Sequence, residues 1–362
     1  TNLKKLAYSG LTVLSIGVLA ACSSAASSKT SSSSATVTNT SNTSSSSSST
    51  SSSVDWSSLP TTEVSLTDEG LTITEGGTYI LTGTTTGGVT VETDANVRII
   101  LAGATISSSD TAAINVISAG TVEIELQDGT ENTVKDSSTH SNTDIEGAIH
   151  VEADLIISGN GSLTVEGNFQ DGIVSTDNLT INAGNITVTA ADDGIRGKDS
   201  LTINGGTIDV TATGDGIKAT NDEDTTKGYT VITGGTITVS AGDDAIKAES
   251  SLTIDGGDIT VTESLEAIEA TNITINGGTI DVYATDDSIN AASTTSTDIF
   301  IKVTGGNLKV EVGSGDTDAF DSNGDIYISG GTIDITAPTS AFDFDGVAEL
   351  TGGTVTVNGE QI

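Results

Sequence analysis

Hydrophobic and polar residues alternate along most of the chain, in short runs separated by Gly, Asn and Asp. In one stretch, Leu201 and Ile203 flank a threonine, and a second alternating run follows Gly206. A third, shorter run places Lys218 between two apolar residues. Alternation with a period of two among β-branched residues predicts strands, and the intervening Gly, Asn and Asp predict corners. Each such unit is therefore expected to contain three short strands.

The unit repeats, and a glycine at one corner marks its period. This glycine recurs at Gly184, Gly206, Gly235, Gly257, Gly278, Gly306, Gly331 and Gly353. The spacings are 22, 29, 22, 21, 28, 25 and 22 residues, so a base period of 22 carries three insertions. Short strands stacked at a fixed period are typical of solenoids, and parallel crossovers are right-handed by default. The pattern predicts an all-β, right-handed, single-stranded parallel β-helix (solenoid) with about 22 residues and three strands per rung.

Segments that break the period are informative as well. Residues 220–228 and roughly 292–297 lengthen the third corner of their rungs. Inserted corner loops on a solenoid commonly build the walls of a binding face. The polar stretch 128–143 is predicted to be a loop. Near the end of the chain, Phe342 and Phe344 are expected to cover the open end of the core.

The first residues have the composition of an export signal. Lys4 and Lys5 precede an apolar stretch at 11–21 that is too short to span a bilayer as a helix. The stretch ends in Leu-Ala-Ala-Cys22, which resembles the lipobox of bacterial lipoproteins, where the cysteine is lipidated after cleavage. This resemblance implies a lipoprotein signal peptide at 1–21 and lipidation of Cys22. The alternative is an ordinary secretory signal with a chance cysteine.

Residues 22–53 consist almost entirely of Ser, Thr, Ala and Asn, and such a segment cannot bury enough apolar surface to fold. We expect a disordered linker there, followed by a β-helix domain at 54–362. Since Cys22 is the single cysteine, disulfides cannot stabilise the exported chain. The prediction is an extracellular protein, lipid-anchored to the outer face of the cytoplasmic membrane, in a Gram-positive bacterium.

The charge of the chain narrows the range of partners. It has 50 acidic and 12 basic residues, for a formal net charge of −38 at pH 7. Nucleic-acid phosphates would be repelled by such a surface, and no basic stripe is present, so no nucleic-acid partner is expected. Anionic lipid head groups are disfavoured for the same reason, which leaves the lipid anchor as the expected membrane contact. The charge favours divalent cations or neutral ligands.

The second corner of successive rungs carries a column of acids. Its members are Asp171, Asp193, Asp215, Asp244, Glu266, Asp287 and Asp318, and a further acid precedes three of them, at Asp192, Asp243 and Asp286. Two unit charges at a rung spacing of about 4.8 Å repel by about 3.5 kcal/mol at an effective dielectric constant of 20. Unpaired carboxylates would therefore oppose folding. The alternative is that the acids only form turns and are screened by salt.

Two kinds of cation are candidates to neutralise this column. Three residues beyond the acids, a second column reads Arg196, Lys218 and Lys247, then Glu269, Asn290, Asp321 and Asp343. Its basic half is expected to pair with Asp193, Asp215 and Asp244, respectively. For the remaining charge we predict calcium, which takes hard oxygen ligands. The predicted metal ligands are Asp192, Asp193, Asp215, Asp243, Asp244, Glu266, Asp286, Asp287 and Asp318. Zinc is not expected, because the chain has too few His and Cys residues for a zinc site, and His140 and His150 are predicted to be solvated loop or face residues.

The repeated Leu-Thr-Ile-Asn-Gly-Gly-Thr-Ile-x-Val, followed by Asp-Asp-x-Ile-Lys-Ala at 243–248, resembles a known family. This is the bacterial carbohydrate-binding β-helix family, typified by a clostridial surface protein that binds cellulose and acidic plant sugars. The resemblance spans about residues 60–360. It implies a polysaccharide-lyase-like right-handed β-helix, bound calcium, and glycan binding without demonstrated catalysis. Gly214, Leu265 and Ser340 depart from the acidic pattern, so calcium is less expected at their rungs.

These observations predict a monomeric, non-catalytic protein that binds polysaccharide at the cell surface with the help of calcium. Uronate-containing or cellulosic plant cell-wall glycans are the expected partners, and the predicted ligand contacts are Arg196, Lys218, Lys247 and Tyr283. One alternative is a structural or adhesive surface protein. Another is a calcium-dependent polysaccharide lyase, in which Arg196 would remove the proton next to a uronate carboxyl group.

Overall fold

The computed structural model describes residues 53–362. The predicted signal peptide, the lipidation site Cys22 and the linker up to residue 52 lie outside the described residues. Within the described part of the chain, no helix has the length and apolar content needed to cross a membrane.

One 3-10 helix, Trp56–Ser58, precedes the strands. The strands of the first part are β1 (Thr61–Leu66), β2 (Leu71–Ile73), β3 (Gly77–Thr85), β4 (Val89–Glu92), β5 (Val97–Ser107), β6 (Ile114–Ser118), β7 (Thr121–Leu126), β8 (Glu131–Lys135), β9 (Gly147–Val151), β10 (Asp154–Ser158), β11 (Ser162–Gly167) and β12 (Asp171–Ser175). The next are β13 (Asn178–Ile181), β14 (Asn185–Ala190), β15 (Ile195–Gly197), β16 (Ser200–Ile203), β17 (Thr207–Ala212), β18 (Ile217–Ala219), β19 (Tyr229–Ile232), β20 (Thr236–Ala241), β21 (Ile246–Ala248), β22 (Ser251–Ile254), β23 (Asp258–Glu263) and β24 (Ile268–Ala270). The last are β25 (Asn272–Ile275), β26 (Thr279–Ala284), β27 (Ile289–Ala291), β28 (Phe300–Val303), β29 (Asn307–Val312), β30 (Asp318–Ser322), β31 (Asp325–Ile328), β32 (Thr332–Thr336), β33 (Ser340–Phe344), β34 (Ala348–Leu350), β35 (Thr354–Val357) and β36 (Glu360–Gln361).

These strands form two long sheets, one of 24 strands and one of 12. From β13 onward the neighbours are three strands apart in the chain, so that β13 pairs with β16, β14 with β17 and β15 with β18. All of these pairs are parallel, and β35 with β36 is the antiparallel pair among the described strands. The predicted all-β class is confirmed, and long parallel sheets of this kind are consistent with a β-helix-like solenoid.

Alternation in the sequence places apolar side chains inside. In β17, Ile208, Val210 and Ala212 are buried, and the residues between them are exposed. Val210 lies in register with Val188 on one neighbouring strand and with Val239 on the other. Similar side chains therefore stack from strand to strand, and one continuous apolar core extends from Leu66 to Val357. Burial of this core is the main favourable contribution to folding.

Polar side chains at the glycine corner stack in the same way. The Asn204 amide donates to Asn182 Oδ1 at 2.9 Å, and the Asn276 amide donates to Asp255 Oδ1 at 2.8 Å. Thr304 Oγ1 extends this row by donating to Asn276 Oδ1 at 2.6 Å. Each such bond joins consecutive turns, as side-chain ladders do in stacked β-structures.

The predicted loop at 128–143 is wrong in part, because it contains β8. This strand pairs with β5 and β11, and Asn132 and Val134 point inward. Asn132 is only 2% exposed, and its Oδ1 accepts hydrogen bonds from the backbone N–H groups of Gly103 and Ala104. The sequence alone does not distinguish a buried asparagine that hydrogen-bonds to backbone groups from an asparagine in a loop.

At the other end of the core, Phe342 stacks on Phe320 with the ring centroids 5.4 Å apart. Phe342 and Phe344 are partly buried against the core, where they were expected.

Candidate functional site: an acid ladder beside the 12-stranded sheet

The predicted column of acids forms a continuous row at the start of strands in the 12-stranded sheet. We call it the acid ladder, and it consists of Asp171, Asp193, Asp215, Asp244, Glu266, Asp287 and Asp318. Asp171 and Asp318 begin β12 and β30, whereas Asp193 and Asp215 lie two residues before β15 and β18. Most of these acids are buried; Asp171 and Asp244 are each only 2% exposed. Burial at this level requires partners for the charge.

One carboxylate oxygen of several ladder residues is used by the backbone of the next rung. Asp171 Oδ1 accepts from the N–H of Asp193 at 3.0 Å, and Asp193 Oδ1 accepts from the N–H of Asp215 at 2.9 Å. The same bond joins Asp215 to the N–H of Asp244 at 2.9 Å and Asp287 to the N–H of Asp318 at 2.7 Å. Joining consecutive rungs is therefore one role of the ladder. Charged acceptors make such bonds stronger than neutral ones.

The second oxygen faces the basic column in the first half of the ladder. The Lys218 ammonium lies 2.5 Å from Asp193 Oδ2 and 2.9 Å from Asp215 Oδ2. Lys247 lies 2.6 Å from Asp244 Oδ2 and 3.3 Å from Glu269 Oε1. The expected pairs of Lys218 with Asp215 and of Lys247 with Asp244 are present.

Arg196 differs from the expectation that it pairs with Asp193. Its guanidinium lies 2.7 Å from Asp171 Oδ2 and also contacts the carboxylate of Glu146. Burial lowers the pKa of Arg196, but Asp171 and Glu146 together raise it above its usual value. Arg196 therefore reaches back to Asp171 on the preceding rung and to Glu146 on the rung before that. The site thus includes an acid that the column pattern does not contain.

Beyond Lys247 the neighbouring column is no longer basic, and the pKa values of two acids there are raised. Burial, together with Glu269, raises the pKa of Glu266 to about 9. Burial and the carboxylates of Asp287, Asp318 and Asp343 raise the pKa of Asp321 to about 8. In the first half, burial raises the pKa of Asp171 to about 6 and that of Asp244 to about 7, and these shifts are smaller because Arg196 and Lys247 oppose them. The second half of the ladder therefore favours either protonation or a cation.

Four groups of carboxylates in the described residues bring their oxygens within 4.8 Å of one another. They are Asp171 with Asp192 and Asp193, Asp215 with Asp243 and Asp244, Asp244 with Glu266 and Glu269, and Asp287 with Asp318 and Asp321. Of the nine predicted metal ligands, these groups include all but Asp286. Sequence reasoning had assigned Asp171, Glu269 and Asp321 no metal-binding role, although each stands in one of the two columns.

The groups differ in the charge that surrounds them. Arg196 and Lys218 contact the first, Lys218 and Lys247 contact the second, and Lys247 contacts the third. In the fourth, Asp321 occupies the column position that Lys218 and Lys247 occupy in earlier rungs. Three carboxylates at this spacing are a donor set that suits a hard divalent cation such as calcium.

Both histidines are buried, which corrects the prediction that they face solvent. His140 Nε2 lies 2.8 Å from Asp136 Oδ2, and its ring stacks on Phe169 with centroids 4.2 Å apart. His150 is 2% exposed, and its Nε2 lies 2.9 Å from Glu152 Oε1. Asp136 and the Phe169 ring contact His140, whereas Glu152 and the backbone N–H of Glu146 contact His150. No cluster of metal-ligating side chains in the described residues includes either histidine.

A small aromatic strip lies on the outer face of the 24-stranded sheet. The Lys302 ammonium lies 4.0 Å from the ring centroid of Phe300 and 5.9 Å from that of Tyr327. Lys302 and Tyr327 are register partners on β28 and β31, and all three side chains are partly exposed. The predicted contact residue Tyr283 is partly buried on β26, beside Glu311 of the next strand. The strip was missed, although Phe300 and Lys302 show the period-two alternation of an outward face.

Comparison with known proteins gives consistent results. A family model described as carbohydrate-binding domain-containing protein matches residues 67–319. A curated relative with the same description, from Acetivibrio thermocellus, is 35% identical over 135 residues, which are 35% of this chain and 47% of the relative. The chain thus spans about half the length of the curated relative that it matches.

A solved structure described as the polysaccharide lyase-like protein from C. thermocellum, gadolinium derivative, is 38% identical with a TM-score of 0.53. The match covers 58% of this chain and 85% of that chain. Since the family model matches well over half of the sequence, this chain belongs to the family of carbohydrate-binding domain-containing proteins.

Proposed function

We propose that the protein binds polysaccharide at the bacterial cell surface without catalysis, and that calcium on the second half of the acid ladder assists this binding. The observation that carries the proposal is the group of Asp287, Asp318 and Asp321 in a member of a carbohydrate-binding family. In this proposal the binding domain is a right-handed single-stranded β-helix with rungs of about 22 residues.

Calcium fits this group better than the other three. When bound, it would neutralise the carboxylates and offer open coordination positions to the oxygens of a sugar. Asp287, Asp318 and Asp321 would hold it, with Asp343 next to them in the column. Asp321 supports this assignment, because burial and then the neighbouring carboxylates raise its pKa, and a bound cation would offset both effects.

We further propose that acidic glycans are favoured and that they contact the aromatic strip of Phe300, Lys302 and Tyr327. A sugar ring can stack on an aromatic face, and the Lys302 ammonium can pair with a uronate carboxylate. Tyr283 stays a candidate contact on the same sheet. Arg196, Lys218 and Lys247 are already held in ion pairs, so we assign them to neutralisation of the ladder.

The lyase alternative gains no support from Arg196. A general base must be deprotonated before it can accept a proton, but Asp171 and Glu146 raise the pKa of Arg196 and so keep it protonated. The curated relative is described by carbohydrate binding, which agrees with a non-enzymatic role.

We propose that a signal peptide at 1–21, lipid on Cys22 and a linker at 22–53 place a monomeric binding domain outside the cytoplasmic membrane of a Gram-positive bacterium.

The calcium assignment has a thermal test. Asp321 has a pKa of about 8 when folded and about 4 when unfolded, so the folded state binds the proton more tightly. The contribution of Asp321 to the stability of the folded state is therefore fully present below its unfolded pKa and is lost as the pH rises towards 8. In a chelator, the melting temperature should fall between pH 5 and pH 8, and calcium at pH 8 should restore it. Asp321→Asn should melt at least ~2 °C higher than the parent in chelator at pH 8 and respond less to calcium.

The binding function has its own test, in which the protein is mixed with polygalacturonate or cellulose with and without chelator. We expect retention on the polymer that weakens in chelator, with no unsaturated uronate product. Asp321→Asn is the variant of the proposed calcium site for this test, and its control is Asp209→Asn, which removes an exposed charge of β17 outside the ladder. Retention of none of these polymers would contradict the proposed function, and accumulation of unsaturated product would favour the lyase alternative.

A further inference from the structure

A cleft of about 460 Å³ lies between the two longer inserted loops, and Glu269 of its lining also belongs to the carboxylate group of Asp244 and Glu266. Residues of the loop that follows β18, among them Asn221 and Asp224, form one wall, and residues 292–296 form the other. Glu249 and Thr271 are among the residues that line it between these walls. Its volume falls in the range of small-ligand sites, which is about 300–1,000 Å³.

Local hydrogen bonds hold both walls in place. The buried Asn221 donates from its amide to Asp199 Oδ1 at 2.7 Å and accepts from the N–H groups of Glu223 and Asp224. In the other loop, Ser293 Oγ accepts from the N–H of Thr295 at 3.1 Å and of Ser296 at 3.0 Å. The walls are therefore formed without a ligand, and binding would not have to order them.

The lining is made mostly of polar residues. Apart from Ala248 and Ala292, it consists of side chains that carry hydroxyl, amide or carboxylate groups, and it includes no aromatic residue. Such a surface suits a ligand that is rich in hydroxyl groups and binds through hydrogen bonds rather than by stacking.

Charge narrows the class of ligand further. Asp222, Asp224, Glu249 and Glu269 line the cleft, and no lysine or arginine does. Lys247 neutralises Glu269 at 3.3 Å, whereas Asp222 and Glu249 take part in no ion pair within the described chain. A polyuronate would be repelled here, and a ligand that carries an ammonium group would be attracted.

We infer that this cleft is a binding subsite for an amino sugar with a free ammonium group, as in a de-N-acetylated hexosamine polymer. The hydroxyl groups of the sugar would bond to the Ser, Thr and Asn side chains of the loops, and its ammonium to Glu249 and Asp222. This inference rests on the proposed polysaccharide-binding function and adds a second class of glycan, which the cleft would bind.

The test is calorimetric titration of the full chain with a glucosamine hexamer and with its fully N-acetylated counterpart. Glu249→Gln and Asp222→Asn should each weaken binding of the glucosamine hexamer by about tenfold, since each removes one charge-assisted partner. Asp209→Asn, with the same change in net charge but outside the cleft, should leave the affinity unchanged. The N-acetylated hexamer should bind more weakly than glucosamine hexamer to the parent protein and should be insensitive to both substitutions.

The outcomes separate this inference from the proposed function. Equal losses in all three variants would mean that the hexamer responds only to the overall charge, and the cleft would be rejected. Equal affinity for the two hexamers would also overturn the assignment. If polygalacturonate is retained while the glucosamine hexamer does not bind, the cleft inference fails and the proposed function stands. If no glycan binds at all, both fail.

Discussion

Each aspartate in the first half of the acid ladder uses its two carboxylate oxygens for different partners. Asp193 Oδ1 accepts from the N–H of Asp215, and its Oδ2 contacts the Lys218 ammonium. A buried carboxylate is tolerated when both kinds of partner are present. Lys218 is shared by two carboxylates, so its removal would leave both with less compensation.

We predict that Lys218→Met lowers the free energy of unfolding by about 3 kcal/mol, because breaking a buried ion pair leaves its partners uncompensated. Lys218 is 17% exposed, and the side chains of Asp193 and Asp215 are 10% and 8% exposed. Urea unfolding at pH 7 measures the change. Lys309→Met is the matched control, since its pair with Asp281 is about half exposed and should be worth less than about 1 kcal/mol. Similar losses in the two variants would contradict the role given to Lys218.

At the scale of elements, the glycine corner is a place where each turn approaches the next closely. Gly206 has φ +96°, and a Cβ placed there would lie 2.9 Å from the carbonyl oxygen of Gly184. Both the left-handed backbone and the close contact exclude a side chain. The recurrence of this glycine in the sequence follows from the stacking, since every turn repeats the same approach.

A pair of substitutions separates the two effects. Gly129 has φ +75°, and no atom lies within 4 Å of the position that a Cβ would occupy, so Gly129→Ala should lose only about 1 kcal/mol through its backbone. Gly206→Ala should lose about 2 kcal/mol or more, because it adds the clash. Thermal unfolding of both variants in the same buffer would measure the difference. Equal losses would show that the contact with Gly184 is relieved without cost.

Prediction of the elements succeeded where the alternation was regular and failed where polar residues point inward. The three runs from Leu201 to Ala219 correspond to β16, β17 and β18. The strand β8 was missed, because Asn132 is buried by hydrogen bonds to a backbone about 28 residues earlier in the chain. No local pattern identifies such a partner.

For the molecule as a whole, the net charge of −38 acts over distances longer than any single ion pair. Repulsion among the carboxylates opposes the compact state, and added salt screens it. The Debye length falls from about 30 Å at 0.01 M to about 8 Å at 0.15 M salt. The folded chain should therefore gain stability from salt that does not bind specifically.

We predict that the melting temperature in chelator rises by at least ~2 °C between 0.01 M and 0.2 M NaCl and changes little from 0.2 M to 0.5 M. Potassium chloride should give the same curve, since screening depends on ionic strength. Differential scanning calorimetry provides the measurement. A linear rise across the whole range would instead indicate exclusion of salt from the protein surface.

The sequence by itself determined the all-β class, the three runs per unit and the two charged columns, because strand alternation and a fixed period translate directly into position. Only the tertiary structure decided the contacts that join distant or irregular segments. These include Arg196 with Glu146, which is 50 residues earlier, the burial of His140 and His150, and the cleft between two separate loops. Such contacts depend on how the early rungs and the inserted loops pack against their neighbours, and the repeat pattern of the sequence does not specify this packing.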